Sequence, residues 1–187
     1  MTTLAGTFDV TAVRADFPIL SESVNGEPLV YLDSAATSQK PRVVLDAERS
    51  FLEHENAAVH RGAHTLAAEA TERFEDARAA VAAFVGAASD NIVWTSGATA
   101  ALNLVAYAIG NASLGRGAAS SPRLSLGDEI VVTEAEHHAN LIPWQELAAR
   151  TGAVLRHIPV HDDGTLDLDA ATEIIGERTK IVAFSHV

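Results

Sequence analysis

The second half of the chain alternates short apolar segments with helical patterns, and this alternation limits the possible folds most strongly. The segments with strand character are 91–95, 129–133, 153–158 and 180–184, and the helical patterns between them are 98–109, 141–150 and 168–175. Alternation of strand and helix with short connections is typical of a parallel sheet covered by helices on both faces. The sequence therefore predicts an α/β fold with a mostly parallel sheet.

The first half of the chain gives weaker structural signals. The pattern predicts a short helix over 9–17 and, after the Asn25-Gly26 turn signal, a hairpin or edge strand that includes the apolar run 29–32. A longer helix is predicted over 65–84, and we expect its apolar stripe to face the core; the stripe comprises Ala70, Phe74, Ala77, Val81 and Phe84. Residues 111–127 are rich in Gly, Ser and Ala and predict a flexible surface loop.

Composition excludes several classes of protein. The net charge is −12, from 13 basic and 25 acidic side chains, and a chain with this balance lacks the basic face that nucleic-acid binding requires. No apolar run approaches the roughly 20 residues that cross a membrane, and residues 1–10 lack the features of a signal peptide, so we expect a cytoplasmic protein. The absence of cysteine excludes a disulfide scaffold, a thiolate metal site and a cysteine nucleophile in this segment.

Polar residues follow three of the predicted strands, at the end of a parallel sheet where ligands usually bind. Residues 95–99 combine hydroxyl side chains with Gly97 before a helix, which suits a phosphate, although a hydroxyl could simply cap the helix. Residues 134–140 include His137 and His138, which could stack on a flat ring or move protons; surface histidines in a loop are the alternative. Residues 185–187 are too few to interpret alone.

Two loops near the start add further candidates. Residues 33–37 are small or polar, and they either allow a ligand to approach closely or form an ordinary turn. Residues 56–64 include His60, Arg61 and His64 around Gly62. Arg61 suits a carboxylate or phosphate, whereas a metal site at the two histidines is disfavoured by the intervening glycine. We expect no metal site in the chain.

Taken together, these segments resemble the signatures of SUF-type cysteine desulfurases, in the class V aminotransferase branch of fold-type I enzymes that use pyridoxal 5′-phosphate (PLP). The similar segments occur in family order over residues 17–187; they are 31–41, 59–64, 95–99 with 103–106, 136–140 with 143–145, and 185–187. The resemblance implies the first half of the large PLP-binding domain over 31–187, truncated at its carboxyl end, with residues 1–30 as an amino-terminal arm.

The resemblance also implies roles for individual residues. Ala98 and Thr99 would bind the cofactor phosphate, and His137 would stack on the pyridine ring and help to move protons. The substrate side would be lined by Asp33, Ser34, Ala35 and Ala36, with His60 near the interface of a homodimer. The implied reaction removes sulfur from L-cysteine, giving L-alanine and an enzyme persulfide whose sulfur passes to an acceptor protein for iron–sulfur cluster assembly.

Groups that this chemistry needs are missing from the chain. The enzyme requires a lysine that forms a Schiff base with the cofactor and, by the resemblance, a persulfide cysteine. The only lysines are Lys40 and Lys180, and Lys180 lies at the start of its predicted strand, far from the ligand-binding end. We therefore expect the 187-residue chain to be an inactive fragment. Selenocysteine lyases, C–S β-lyases and class V aminotransferases of the same fold remain alternatives, as does a non-catalytic half-fold that serves as an interaction module.

Overall fold

The computed structural model describes residues 8–186, and their contacts divide the chain into a first unit that ends at Ile92 and a second that begins at Val93. The elements of the first unit are α1 (Val10–Ala15), a 3-10 turn (Pro18–Ser21), β1 (Ser23–Val24), β2 (Glu27–Pro28), α2 (Arg42–His54), α3 (Thr65–Val85) and a second 3-10 turn (Ser89–Asn91). The described part of the chain contains no helix both long and apolar enough to cross a membrane.

The hairpin and the first helix form where the sequence predicts them. The Asp9 side chain accepts hydrogen bonds from the N–H groups of Thr11 and Ala12 and so caps α1. Asn25 and Gly26 connect β1 and β2 with positive φ angles of 55° and 84°, as a two-residue hairpin turn requires. The prediction that the apolar run 29–32 belongs to a strand is wrong, since β2 ends at Pro28 and the ladder continues only through the Leu29 N–H to Glu22 O.

Helix α3 confirms the predicted long helix but not its predicted buried stripe. The helix begins after His64, whose Nδ1 accepts from the Ala67 N–H, and ends at Gly86 with a φ of 71°. Its buried residues are Ala67, Ala70 and Ala82, whereas Phe84 of the predicted stripe is 91% exposed. The preceding loop packs closely against the first part of this face, near Ala67, and the His60 N–H donates to Thr71 Oγ1 across this contact.

The second unit is an α/β layer structure with a parallel sheet. Its elements are α4 (Ala98–Ser113), β3 (Glu129–Thr133), a 3-10 turn (His138–Asn140), α5 (Ile142–Thr151), β4 (Val154–Ile158), α6 (Leu168–Ile174) and β5 (Thr179–Ala183). The strands pair in the order β4-β3-β5, and both pairs are parallel.

Burial of β3 on both faces explains its continuous apolar sequence. Ile130 and Val132 pack on one face against α4 and α5, through residues such as Leu147. Val131 packs on the other face against Ala171 of α6. Helices therefore cover both faces of a parallel sheet, which confirms the predicted fold class.

Two predictions for the second half of the chain need correction. Segment 91–95 is not a strand: it is not part of a β-ladder, and Val93 is 65% exposed. The Ile92 carbonyl instead accepts a hydrogen bond from the Arg78 side chain. The predicted surface loop 111–127 is also partly wrong, because α4 continues to Ser113 and Leu124 is buried in the core with its N–H donating to Ser113 Oγ.

Candidate functional site

A cleft beside the sheet brings together α4, α5 and the last strand. Its volume is about 580 Å³, and we call it the α4–β5 cleft. It is lined by Ala98, Ala101, Leu102, Val105, Asn140, Trp144, Ile181, Val182, Ala183, Phe184 and Ser185. Most of these side chains are apolar, with Asn140 and Ser185 adding polar groups, as is usual for the site of a small molecule.

The amino-terminal end of α4 presents free N–H groups near the cleft. Gly97 precedes the helix and has no side chain that could cap it, and no other side chain caps this end; Thr95 Oγ1 donates to Gly97 O. The first N–H that bonds back is that of Ala101, to Gly97 O, which leaves the N–H groups of Ala98 and Thr99 available. A Cβ added to Gly97 would meet no atom within 4 Å, so the space in front of the helix is open. The end of α4 thus fits an anion.

His137 lies at the start of the 3-10 turn that follows β3. Its Nδ1 accepts a hydrogen bond of 3.0 Å from the Ala139 N–H, so a neutral His137 carries its proton on Nε2. The His138 ring is 6.4 Å away and tilted by 49°, so the two histidines do not converge on one point. The wall of the cleft includes Asn140 of this turn but not His137.

Glu136 is a buried carboxylate near the cleft that the sequence patterns did not single out. It is 9% exposed, and its carboxylate accepts hydrogen bonds from Thr133 Oγ1 at 2.7 Å and from Asn140 Nδ2 at 2.7 Å. It also accepts from the N–H of Ser185 at 2.9 Å and from its hydroxyl at 3.3 Å. Burial raises the pKa of Glu136, but these hydrogen bonds outweigh burial and hold the pKa below its usual value.

The hydrogen bonds of Glu136 continue into the cleft wall. Asn140 Oδ1 accepts a bond of 2.9 Å from the indole Nε1–H of Trp144, so one polar chain runs from α5 to the end of β5. This chain joins the carboxyl ends of β3 and β5 with neutral donors around one carboxylate. The only sequence signal for this polar chain was a carboxylate, Glu136, directly before the two histidines, with Asn140 four positions after it.

Lys180 lies at the other end of β5, as predicted. Its Nζ donates to Glu177 O at 3.0 Å, in the connection that precedes the strand. A parallel strand places its first residues at the edge opposite its last ones, and Ser185 follows β5 at the cleft. Lys180 is therefore not positioned to bond a ligand in the α4–β5 cleft.

The predicted substrate-side residues lie in the first unit. The N–H groups of Ala36 and Thr37 donate to Asp33 O at 3.2 Å, and Tyr31 Oη lies within hydrogen-bond distance of both Asp33 O and Thr37 O, so residues 33–37 form a compact turn. His60 has a φ of 60°, and its Nε2 lies 2.9 Å from Glu75 Oε1. The roles of these residues at the substrate remain predictions.

Comparison with known proteins identifies the family. The family model for class V aminotransferases matches residues 30–187. A probable cysteine desulfurase of Mycolicibacterium paratuberculosis is 52% identical over 181 residues, which are 96% of this chain and 25% of the relative. A cysteine desulfurase of Klebsiella pneumoniae is 50% identical over 97% of this chain and 42% of the relative. The chain thus spans less than half the length of these relatives.

Solved structures of cysteine desulfurases have the same fold. The apo enzyme from Thermococcus onnurineus superposes with a TM-score of 0.81 at 38% identity, over 95% of this chain and 40% of that one. An Escherichia coli cysteine desulfurase superposes with a TM-score of 0.72 at 38% identity, over 95% and 41%. A more distant structure, with glycine covalently linked to PLP, has a TM-score of 0.67 at 23% identity and shows the fold alone. The predicted resemblance is confirmed: the chain belongs to the class V aminotransferase family of PLP-dependent fold-type I enzymes.

Proposed function

We propose that the chain is the PLP-binding, amino-terminal part of a SUF-type cysteine desulfurase, with a large-domain portion at 31–187 and an arm at 1–30. The observation that carries this proposal is the uncapped amino-terminal end of α4 beside the α4–β5 cleft and the His137 loop. The full-length enzyme would take sulfur from L-cysteine and pass it to an acceptor protein for iron–sulfur cluster assembly. It would act in the cytoplasm as a homodimer. Relatives named as desulfurases at about 50% identity favour this function over other members of the fold.

The residues in the cleft and beside it fit the cofactor. The N–H groups of Ala98 and Thr99, together with the Thr99 hydroxyl, would hold the phosphate at the positive end of the α4 dipole. His137 would lie against the pyridine ring. When bound, PLP supplies an electron sink that weakens the bonds to the α-carbon of an attached amino acid.

The chain's own residues supply binding, shielding and a proton. The apolar side chains of Leu102, Val105 and Trp144 form one wall of the cleft and would exclude water from the ring. His137 holds its proton on Nε2, because Nδ1 accepts from Ala139 N–H, and Nε2 is the atom at which it would donate. Asp33, Ser34, Ala35, Ala36 and His60 would line the substrate side.

The lysine and cysteine of the reaction would come from sequence outside this chain. The chain has no cysteine, and Lys180 is held at the amino end of β5. We therefore expect the isolated chain to release no sulfide from L-cysteine in the presence of PLP. Sulfide release by the chain alone would contradict this assignment.

Removal of one N–H from the α4 end tests the phosphate site. Ala98 is the first residue of α4, where proline is tolerated and deletes only the N–H, so Ala98→Pro should weaken PLP binding about tenfold or more. Binding of pyridoxal, which lacks the phosphate, should not change. Leu168→Pro at the first position of α6 is the matched control, and it should leave both affinities unaltered.

Equilibrium dialysis of the 187-residue chain against PLP and pyridoxal measures both affinities. A wild-type chain that binds PLP no better than pyridoxal would overturn the phosphate site and the proposed function with it. If Ala98→Pro lowered the affinities for PLP and pyridoxal equally, the proposal would also be contradicted. The N–H that the proline removes should bind the phosphate alone.

A further inference from the structure

Glu136 is a buried ionised group to which the proposed chemistry gives no part. It lies one residue before His137 and is 9% exposed, and a carboxylate is seldom buried unless several donors surround it. Here the donors come from three segments: the end of β3, the turn after His137, and the segment after β5. Ser185 is 49 positions away in sequence.

The hydrogen bonds of Glu136 connect the two ends of the segment that carries the exposed His137 side chain. Its Oε2 accepts from Asn140 Nδ2 at 2.7 Å, so the side chains before and after the His137–Ala139 segment are joined. The Asn140 N–H donates to His137 O at 2.8 Å, which tightens the same turn. The loop that carries His137 is therefore closed at its base, and it is fixed to β5 through Ser185.

We propose that Glu136 is a positioning residue whose carboxylate ties the His137 loop to the end of β5 and thereby sets the direction of the His137 ring. This inference rests on the proposed function, in which that ring lies against PLP. Glu136 itself lies under the loop, and nothing requires it to touch the cofactor.

A carboxylate suits this position better than an amide does. Oε1 accepts from Thr133 Oγ1 and Ser185 N–H, and Oε2 accepts from Asn140 Nδ2 and Ser185 Oγ. A glutamine would replace one of these oxygens with an NH2 group that faces donors. Glu136→Gln would therefore keep the volume of the side chain and break one half of its contacts.

The test measures His137 directly, without the cofactor. Nitrogen NMR of the imidazole in the 187-residue chain should show the Nε2-protonated tautomer of His137, and Ser185 should have a slowly exchanging amide. In Glu136→Gln we expect a mixture of the two tautomers and at least tenfold faster amide exchange at Ser185. The matched control is Glu129→Gln, which changes a buried carboxylate at the opposite end of β3 and should alter neither reading.

The affinities for PLP and pyridoxal provide a second measurement of the same effect. Because the ring is present in both ligands, Glu136→Gln should weaken PLP and pyridoxal equally, by about threefold to tenfold, whereas Ala98→Pro weakens PLP alone. If Glu136→Gln fails to fold, Ser185→Ala decides instead: it removes one of the four donors and should shift the tautomer in the same direction by less.

The outcomes separate this inference from the proposed function. An unchanged His137 tautomer in the folded Glu136→Gln chain, or in Ser185→Ala where the first variant does not fold, would overturn the positioning role. A similar change in Glu129→Gln would also overturn it, because the effect would then be general to buried carboxylates. A wild-type chain that binds no PLP would reject the proposed function, whereas a changed His137 tautomer in Glu136→Gln with an unchanged one in Glu129→Gln would still support the positioning role.

Discussion

The hydrogen bond between Trp144 and Asn140 allows a quantitative test of the polar chain beside the cleft. The indole Nε1–H donates to Asn140 Oδ1 at 2.9 Å, and Trp144 is 3% exposed, so water cannot easily replace the acceptor. Asn140 also donates to Glu136 at 2.7 Å. The informative perturbations are Asn140→Ala, Trp144→Phe and the double substitution.

The expected free energies follow from these contacts. Asn140→Ala removes a hydrogen bond to a charged group, worth about 1.5–3 kcal/mol, and leaves a buried indole N–H without an acceptor at a cost of about 1–3 kcal/mol. We expect a loss of about 3–5 kcal/mol in the free energy of unfolding. Trp144→Phe removes the donor itself and should cost about 1–2 kcal/mol, from one neutral hydrogen bond and some ring packing.

The double variant should be less destabilised than the sum of the single variants. Once the indole is absent, Asn140→Ala no longer leaves an unpaired N–H, so we expect a coupling free energy of about 1–2 kcal/mol. Urea unfolding followed by far-ultraviolet circular dichroism avoids a signal that depends on Trp144, and equal denaturant slopes make the four proteins comparable. Additivity within about 0.5 kcal/mol would refute the reasoning, since it would mean that the indole N–H finds another partner.

Two further predictions concern stability. Because the pKa of Glu136 is lowered from 4.5 in the folded chain, its contribution to the free energy of unfolding should be complete above pH 4.5 and should be lost as the pH falls through the folded-state pKa. Unfolding curves of wild type and Glu136→Gln should therefore differ by a constant free energy from about pH 6 to 8 and converge below about pH 4; a constant difference down to about pH 3 would contradict this. Leu147→Ala removes a core side chain that is 1% exposed between α5 and β3, and urea unfolding should show a loss of about 2–5 kcal/mol; a loss under about 1 kcal/mol would mean that the core there rearranges.

The sequence predicts the second unit well because local signals there agree with the fold. The β3 segment is apolar throughout since it is buried on both faces, and α5 ends where Gly152 adopts a φ of 75°. The strand predictions for segments 29–32 and 91–95 were wrong for a common reason. A strand forms only where a neighbouring strand accepts and donates its backbone hydrogen bonds, and apolar residues do not specify that neighbour.

In the candidate site, too, features that depend on neighbouring residues in sequence were predictable, and features that depend on distant residues were not. The open end of α4 was predictable because Gly97 and the turn before the helix are adjacent in sequence. The role of Glu136 was not, because its burial and its bond to Ser185 exist only after β3 and β5 have paired. His137 occupies an intermediate position: its loop was predicted, but its tautomer depends on the turn to the Ala139 N–H.

The charges at the two ends of β3 favour α4 over the arginines as the proposed phosphate site. At the amino end, a polar cavity of about 470 Å³ includes Arg156 and Arg178, the side chains that most often bind phosphate. The cavity also includes three carboxylates, and Glu129 already accepts from Arg178 at 2.8 Å and lies 3.6 Å from Arg156. A phosphate there would have to displace an existing ion pair and would face excess negative charge. At the carboxyl end, the only carboxylate of the polar chain, Glu136, is surrounded by neutral donors, so the uncapped N–H groups of α4 are free to bind an anion.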